Sequence, residues 1–170
     1  IGQVVEYQLA VPGAPMNVAL SGVMVSDTLN GALEYLSATA VDGGGNTVML
    51  TDNSVAPGGV SLTIASIPAG EQVFITIRTR VQNNNQANAG TSFNNSAAFS
   101  YIGMPIGTVT SGSSGSLTIV EPLVSATKAV SSTVPRAGDT LTYTVNFNAA
   151  GAGAGDNFSR VFDLSIEDTL

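Results

Sequence analysis

Residues 71–81 limit what this chain can fold into more than any other stretch. Val73, Ile75, Ile77 and Val81 alternate with Thr76, Arg78 and Arg80. A period of two puts the apolar set on one face of an extended segment and the polar set on the other. Such a segment reads as a half-buried antiparallel strand, and its apolar face must be covered by another sheet. The same pattern recurs in residues 3–9, where Val5, Tyr7 and Leu9 share a face and Glu6 and Gln8 turn away. Residues 18–27, 33–41, 60–67 and 92–101 also read as strands, rich in β-branched and aromatic side chains. No segment sustains a 3.6-residue period with caps, so little helix is expected.

Turn chemistry separates these strands. Pro12-Gly13-Ala14-Pro15, Gly43-Gly44-Gly45-Asn46, Pro57-Gly58-Gly59 and Pro68-Ala69-Gly70 break the alternation. Asn30-Gly31 is a turn dipeptide whose residues both tolerate positive φ. Residues 83–86 and 111–115 read as polar loops, the second a mobile one. The chain is 44% hydrophobic but only 10% charged, against roughly 25% charged in ordinary globular domains. Nineteen glycines and seven prolines agree with an all-β chain of short connections.

The end of the chain repeats its beginning. Gly2 and Tyr7 return as Gly138 and Tyr143, a separation of 136 residues, and Asp27-Thr28-Leu29 returns as Asp168-Thr169-Leu170. Val5, Leu9, Val23 and Val25 return as Leu141, Val145, Leu164 and Ile166. The second pair of segments is 141 residues apart, so the later copy carries a short insertion, assigned to the small-residue loop at 149–155. A repeat this long marks whole domains in tandem, since solenoid units run about 20–50 residues. The expected boundary is Glu121-Pro122, because proline removes a ladder donor and sits at strand ends. Residues 1–121 then form one sandwich lacking its first strand, and residues 122–170 the opening strands of the next. Leu123–Val130 is that opening strand, and the linker before it is nearly absent.

Charge excludes several functions. The net charge is −7, with five Lys and Arg in all. Binding nucleic acid needs clustered cations, and only Arg78 and Arg80 lie close together, so no nucleic-acid partner is expected. An anionic membrane surface would repel the chain, and no apolar run reaches the roughly 18 residues a membrane helix needs. There is no cysteine and no histidine, which removes thiolate metal sites, cysteine nucleophiles and imidazole acid–base chemistry. Glu167 and Asp168 are adjacent, so on a strand they face opposite ways. No catalytic residues and no enzyme activity are expected.

Several short motifs together resemble a known family. Lys128, a turn, Gly138-Asp139 and the Thr142-Tyr143-Thr144-Val145 strand form one. Asp27-Thr28-Leu29-Asn30-Gly31 leading to Leu33 and Tyr35 forms another. Ile67-Pro68-Ala69-Gly70 before Val73, and Asn95-Ser96-Ala97-Ala98 before Tyr101, complete the set. The chain resembles the repeat domain of bacterial and archaeal surface proteins catalogued as a domain of unknown function. It is also similar to the isopeptide-forming domains of Gram-positive fimbriae. The resemblance implies an immunoglobulin-like β-sandwich in tandem, in large secreted or cell-surface proteins. The fold expected is an all-β, Greek-key sandwich, and its missing first strand leaves room for strands shared between neighbouring repeats or subunits.

Three candidate sites follow. An intramolecular isopeptide bond needs a lysine, an asparagine and an acid buried together, so that burial lowers the lysine pKa and raises that of the acid. Lys128 is the sole lysine, Asn95 (or Asn94) the amide and Asp27 (or Glu6) the acid. Lys128 belongs to the second copy and the others to the first, so the bond would join neighbouring repeats or subunits. A calcium site could use Asp27 and Asp139, with Asp42, Asp52, Asp156 and Asp163 as further strand-end oxygens, although Asp also favours turns for its own hydrogen bonds. No other metal or cofactor is expected. Finally, the segment carrying Leu123, Val124, Ala126, Lys128 and Val130 is a candidate strand donor to an adjacent copy. Asn94-Asn95-Ser96 and Asn157-Phe158-Ser159 match the glycosylation pattern, which is mostly coincidental in a bacterial protein. The expected function is a structural unit of an extracellular stalk, sheath or filament. The alternative is an adhesin module binding carbohydrate or host protein through loops at one end of the sandwich, for which exposed loop aromatics are scarce and Phe158 is the main exception.

Overall fold

A computed structural model of the chain describes residues 2–104, 107–150, 159 and 165–169. It divides into two compact units, Ile1–Thr118 and Ile119–Leu170. Among the described residues every regular element is a strand. The first unit contains β1 (Val4–Val11), β2 (Leu20–Thr28), β3 (Leu33–Asp42), β4 (Thr51–Asp52) and β5 (Gly59–Ile67). β6 (Val73–Val81), β7 (Ser92–Phe93), β8 (Ala97–Ser100), β9 (Val109–Thr110) and β10 (Leu117–Thr118) complete it. The second unit contains β11 (Leu123–Val130) and β12 (Tyr143–Ala150).

The first unit is a β-sandwich. One sheet has the order β1-β6-β3 and the other β4-β5-β2-β8-β9, all antiparallel. The chain changes sheets between β1 and β2, between β2 and β3, between β3 and β4, and between β5 and β6, so most sheet neighbours are not chain neighbours, as in a Greek key. The two inner faces share one core. Val11, Leu33, Ile75 and Ile77 come from the first sheet, and Leu20, Val25, Leu62, Ile64 and Phe99 from the second.

The alternation in β6 is obeyed residue by residue. Val73, Ile75, Ile77 and Thr79 are buried, while Phe74, Arg78 and Arg80 are exposed. Thr79 is the polar member of the buried set, and its Oγ1 donates to the Val5 carbonyl at 2.9 Å. On the outer face Arg78 pairs with Glu6 at 2.9 Å and Arg80 with Glu34 at 2.7 Å. Glu6 is therefore an exposed ion-pair partner, not the buried acid of a cross-link.

Three expectations need correction. Residues 92–101 are not one strand, because β7 pairs with β10 while β8 pairs with β2 and β9. The chain changes partners at residues 94–96, where the Asn95 N–H donates to Ser114 Oγ instead of to a strand. The turn at Asn30-Gly31 forms, with Leu33 N–H on the Asn30 carbonyl at 2.8 Å, but Gly31 is not among the positive-φ glycines. A Cβ there would meet the side-chain amide of Gln86, an exposed residue whose side chain can swing aside. Lastly, Ala149 and Ala150 belong to β12, so the loop expected at 149–155 begins later, and its residues 151–155 lie outside the described residues.

The second unit pairs β11 and β12 antiparallel, from Leu123 opposite Ala150 to Val130 opposite Tyr143. Ser131 N–H donates to the Thr142 carbonyl at 2.9 Å. Gly2 and Gly138, which match in the sequence alignment of the two segments, both adopt positive φ, 78° and 92°.

Candidate functional site

Asp27 stands near the end of β2, on the inward register of Val23 and Val25. It is therefore buried by its strand position, at 6% exposure. β8 lies alongside with Ala97 opposite Asp27, which brings Asn95 within reach. Asn95 Nδ2 donates to Asp27 Oδ2 at 2.6 Å. β1, on the facing sheet, contributes Tyr7 and Leu9. Phe99 and Val109 close the apolar side, and the result is a cavity of about 410 Å³. One wall is the segment after β9. Ser111 Oγ accepts the Ala97 N–H at 2.9 Å and Ser111 N–H donates to the Ala97 carbonyl. Ser114 Oγ accepts the Asn95 N–H at 2.8 Å and Ser114 N–H donates to the Asn95 carbonyl. The expected loop at 111–115 thus has no strand, yet hydroxyls tie it to the site.

The electrostatics of this cavity are incomplete. Asp27 Oδ1 and the Tyr7 hydroxyl are buried and find no partner among the described residues. A buried polar atom left unmatched costs about 1–3 kcal/mol. Burial pushes the Asp27 carboxyl above its ordinary pKa, while the hydrogen bonds from Asn95 and from the Thr28 backbone pull it partly back. Burial, and secondly the negative charge of Asp27, push Tyr7 up to about 12. Tyr7 therefore stays protonated. The cavity offers an acceptor atom of an acid and a phenol, with Asn95 holding the acid in place.

Of the three residues expected for a cross-link, the structure joins Asp27 and Asn95. Lys128 belongs to the second unit, where its Nζ meets Asp168 Oδ1 at 2.5 Å and lies 4.7 Å from the centre of the Tyr143 ring. Those two partners are the repeat counterparts of Asp27 and Tyr7. Leu123, Val124, Ala126 and Lys128 are exposed on β11, with Val130 half-buried, and β11 is paired to β12 along its length.

The calcium candidates are dispersed. Asp27 is held by Asn95, and Asp139 Oδ2 accepts the Arg136 N–H at 2.7 Å within a turn of the other unit. Asp42 accepts from the Asn46 side-chain amide at 2.9 Å and from the Gly44 and Asn46 N–H groups at 2.9 and 2.8 Å, and these bonds, led by the Asn46 side chain, hold its pKa below the ordinary value. Asp52 accepts from Ser54 N–H and from the Tyr35 hydroxyl. Among the described residues no three acidic side chains gather as a metal site. Asp156, Asp163, Asn157 and Phe158 lie outside the described residues.

Sequence reasoning missed Tyr7, Ser111 and Ser114 as parts of this site. Tyr7 carried the one available signal, since it is among the few identities retained in the second copy.

No protein-family model matches the chain, and no curated protein sequence does. Among solved structures the chain is similar to the N-terminal domain of the Streptococcus gordonii adhesin Sgo0707, with a TM-score of 0.54 and 17% identity. The match covers 70% of this chain and 29% of that one, so the chain spans less than a third of the length of the structure it matches. The chain has the fold of a bacterial surface-adhesin domain, an all-β sandwich.

Proposed function

We propose that the chain is a structural repeat unit of an extracellular surface protein, a stalk, sheath or filament built from β-sandwiches end to end. The observation that supports this most is the reappearance of the first unit's opening in the second. Gly2 and Gly138 share positive φ, and Tyr143 and Asp168 gather around Lys128 as Tyr7 and Asp27 gather around a cavity. A chain that restarts its domain is suited to length and spacing. The low charge and the absence of histidine and cysteine leave little for catalysis, which agrees with a non-enzymatic role. The adhesin neighbour supports a surface location and keeps the second reading open, a module that binds carbohydrate or host protein through loops at one end of the sandwich.

Binding separates the two readings. The purified monomeric chain is titrated against glycan arrays and host-cell surfaces, and chains with two, three and four repeats are compared by small-angle scattering. The structural reading expects no saturable binding and a constant gain in length per repeat. Saturable binding by the monomer would establish the adhesin reading instead. An amide between a lysine and Asn95 would lock a junction between units or copies. Its signature is a species that survives denaturation and is lighter by one ammonia per junction.

A further inference from the structure

From the internal repeat we infer that the Tyr7–Asp27–Asn95 cavity is a receptor for a lysine ammonium, delivered by β11 of a second copy that gives up its own β12 and lies antiparallel along the free edge of β1 in its place. This deepens the structural reading above by naming how one copy would join the next.

The same chain contains a template. In the second unit Lys128 sits against Asp168 and over Tyr143. The first unit holds the counterparts of both, Asp27 and Tyr7, and adds Asn95, but has no lysine. The atoms a lysine would engage, Asp27 Oδ1 and the Tyr7 hydroxyl, are the two buried polar side-chain atoms without a partner among the described residues. Charge is complementary. The cavity holds an acid, and Lys128 is the only lysine of a chain with net charge −7.

The backbone register of β1 matches that template. β1 is the outer strand of its sheet, with β6 on one side and no strand on the other among the described residues. Hydrogen-bonded and non-bonded pairs alternate along an antiparallel ladder. Val81 bonds Gly2 and Gln3, so Val5, Tyr7 and Leu9 turn their N–H and C=O groups to β6, and Glu6, Gln8 and Ala10 turn theirs outward. In the second unit Ser131 bonds Thr142, so Thr144 and Asn146 turn their groups to β11. At the 136-residue spacing these two are the counterparts of Gln8 and Ala10. The groups that β12 gives to β11 are the same groups that β1 leaves unpaired.

The register also sets the side chains. Val130 is opposite Tyr143 and Lys128 opposite Val145. On β1 this places Val130 opposite Tyr7 and Lys128 opposite Leu9, both of which line the cavity. Ala126, Lys128 and Val130 share one face at the period of two. That face turns toward the core side, with the ammonium reaching Asp27. Main-chain bonds would supply affinity, and the lysine would fix register, because a one-residue slip turns it to the opposite face.

A fluorescently labelled peptide of residues 121–132 is titrated into the full 170-residue protein and read by fluorescence anisotropy. Saturable binding is expected. A Lys128→Met peptide should bind at least tenfold more weakly, as should the wild-type peptide to an Asp27→Ala protein. A melting curve verifies that this variant is folded, and Asp27→Asn provides a second variant of the same shape. An Arg78→Ala protein, altered on the opposite sheet face, should bind the peptide unchanged. No saturable binding by the folded protein, or equal affinity for the Lys128→Met peptide, would overturn the inference. The structural reading does not depend on that result, because it is tested by repeat length and by the absence of glycan or host binding.

Discussion

Asp27 concentrates the tension in this molecule. Its strand position puts it in the core, its neighbour Asn95 satisfies one oxygen, and the other is left unmatched. Burial raises its pKa above the unfolded value, so between those two values the folded state binds more protons than the unfolded state. Stability must then fall as pH rises through that window. An Asp27→Asn variant, which cannot ionise, should melt higher than the wild type at pH 7, with the difference shrinking as pH falls below the ordinary carboxyl range. Thermal melts across pH 3–8 read this directly, and a wild type that gains stability over the variant as pH rises would contradict it. The sequence made Asp27 and Asn95 legible as a pair only through short motifs. It could not show Tyr7 in the same cavity, because a tyrosine on an alternating strand looks like any other core residue.

At the scale of elements, period-two alternation carried most of the information. β6 could be read side chain by side chain because each buried residue is flanked by an exposed one. β4 and β9, two residues each, were illegible because two residues have no period. The break between β7 and β8 falls at the polar Asn94-Asn95-Ser96, and it was read through because apolar residues flank it on both sides while the change of pairing partners leaves no mark in the sequence. The energetics of β6 should follow its two faces. Ile75 is fully buried, and Ile75→Ala should cost about 2–5 kcal/mol from lost transfer energy and the cavity left behind. Arg78 and Glu6 are each about half exposed, and Arg78→Ala should cost less than about 1 kcal/mol. Chemical denaturation of both variants checks the contrast. Equal costs would mean that the sheet owes as much to its outer ion pairs as to its core.

At the scale of the molecule, the proposed repeat rests on a handful of identities, Gly2, Tyr7 and Asp27-Thr28-Leu29. The sequence could not show that the second copy of Asp and Tyr gathers a lysine, while the first gathers an amide and a cavity. That asymmetry comes from long-range pairing, with β8 against β2 and β11 against β12. In the proposed structural role, one sandwich core resists extension in each repeat. The most direct test stretches head-to-tail copies of the chain in single-molecule force spectroscopy. Evenly spaced unfolding peaks are predicted, one per copy. Each should release roughly 40 nm, the extended length of about 118 residues at ~3.6 Å per residue. Extension without discrete peaks would show that the units do not resist force as separate sandwiches, and would contradict the structural role.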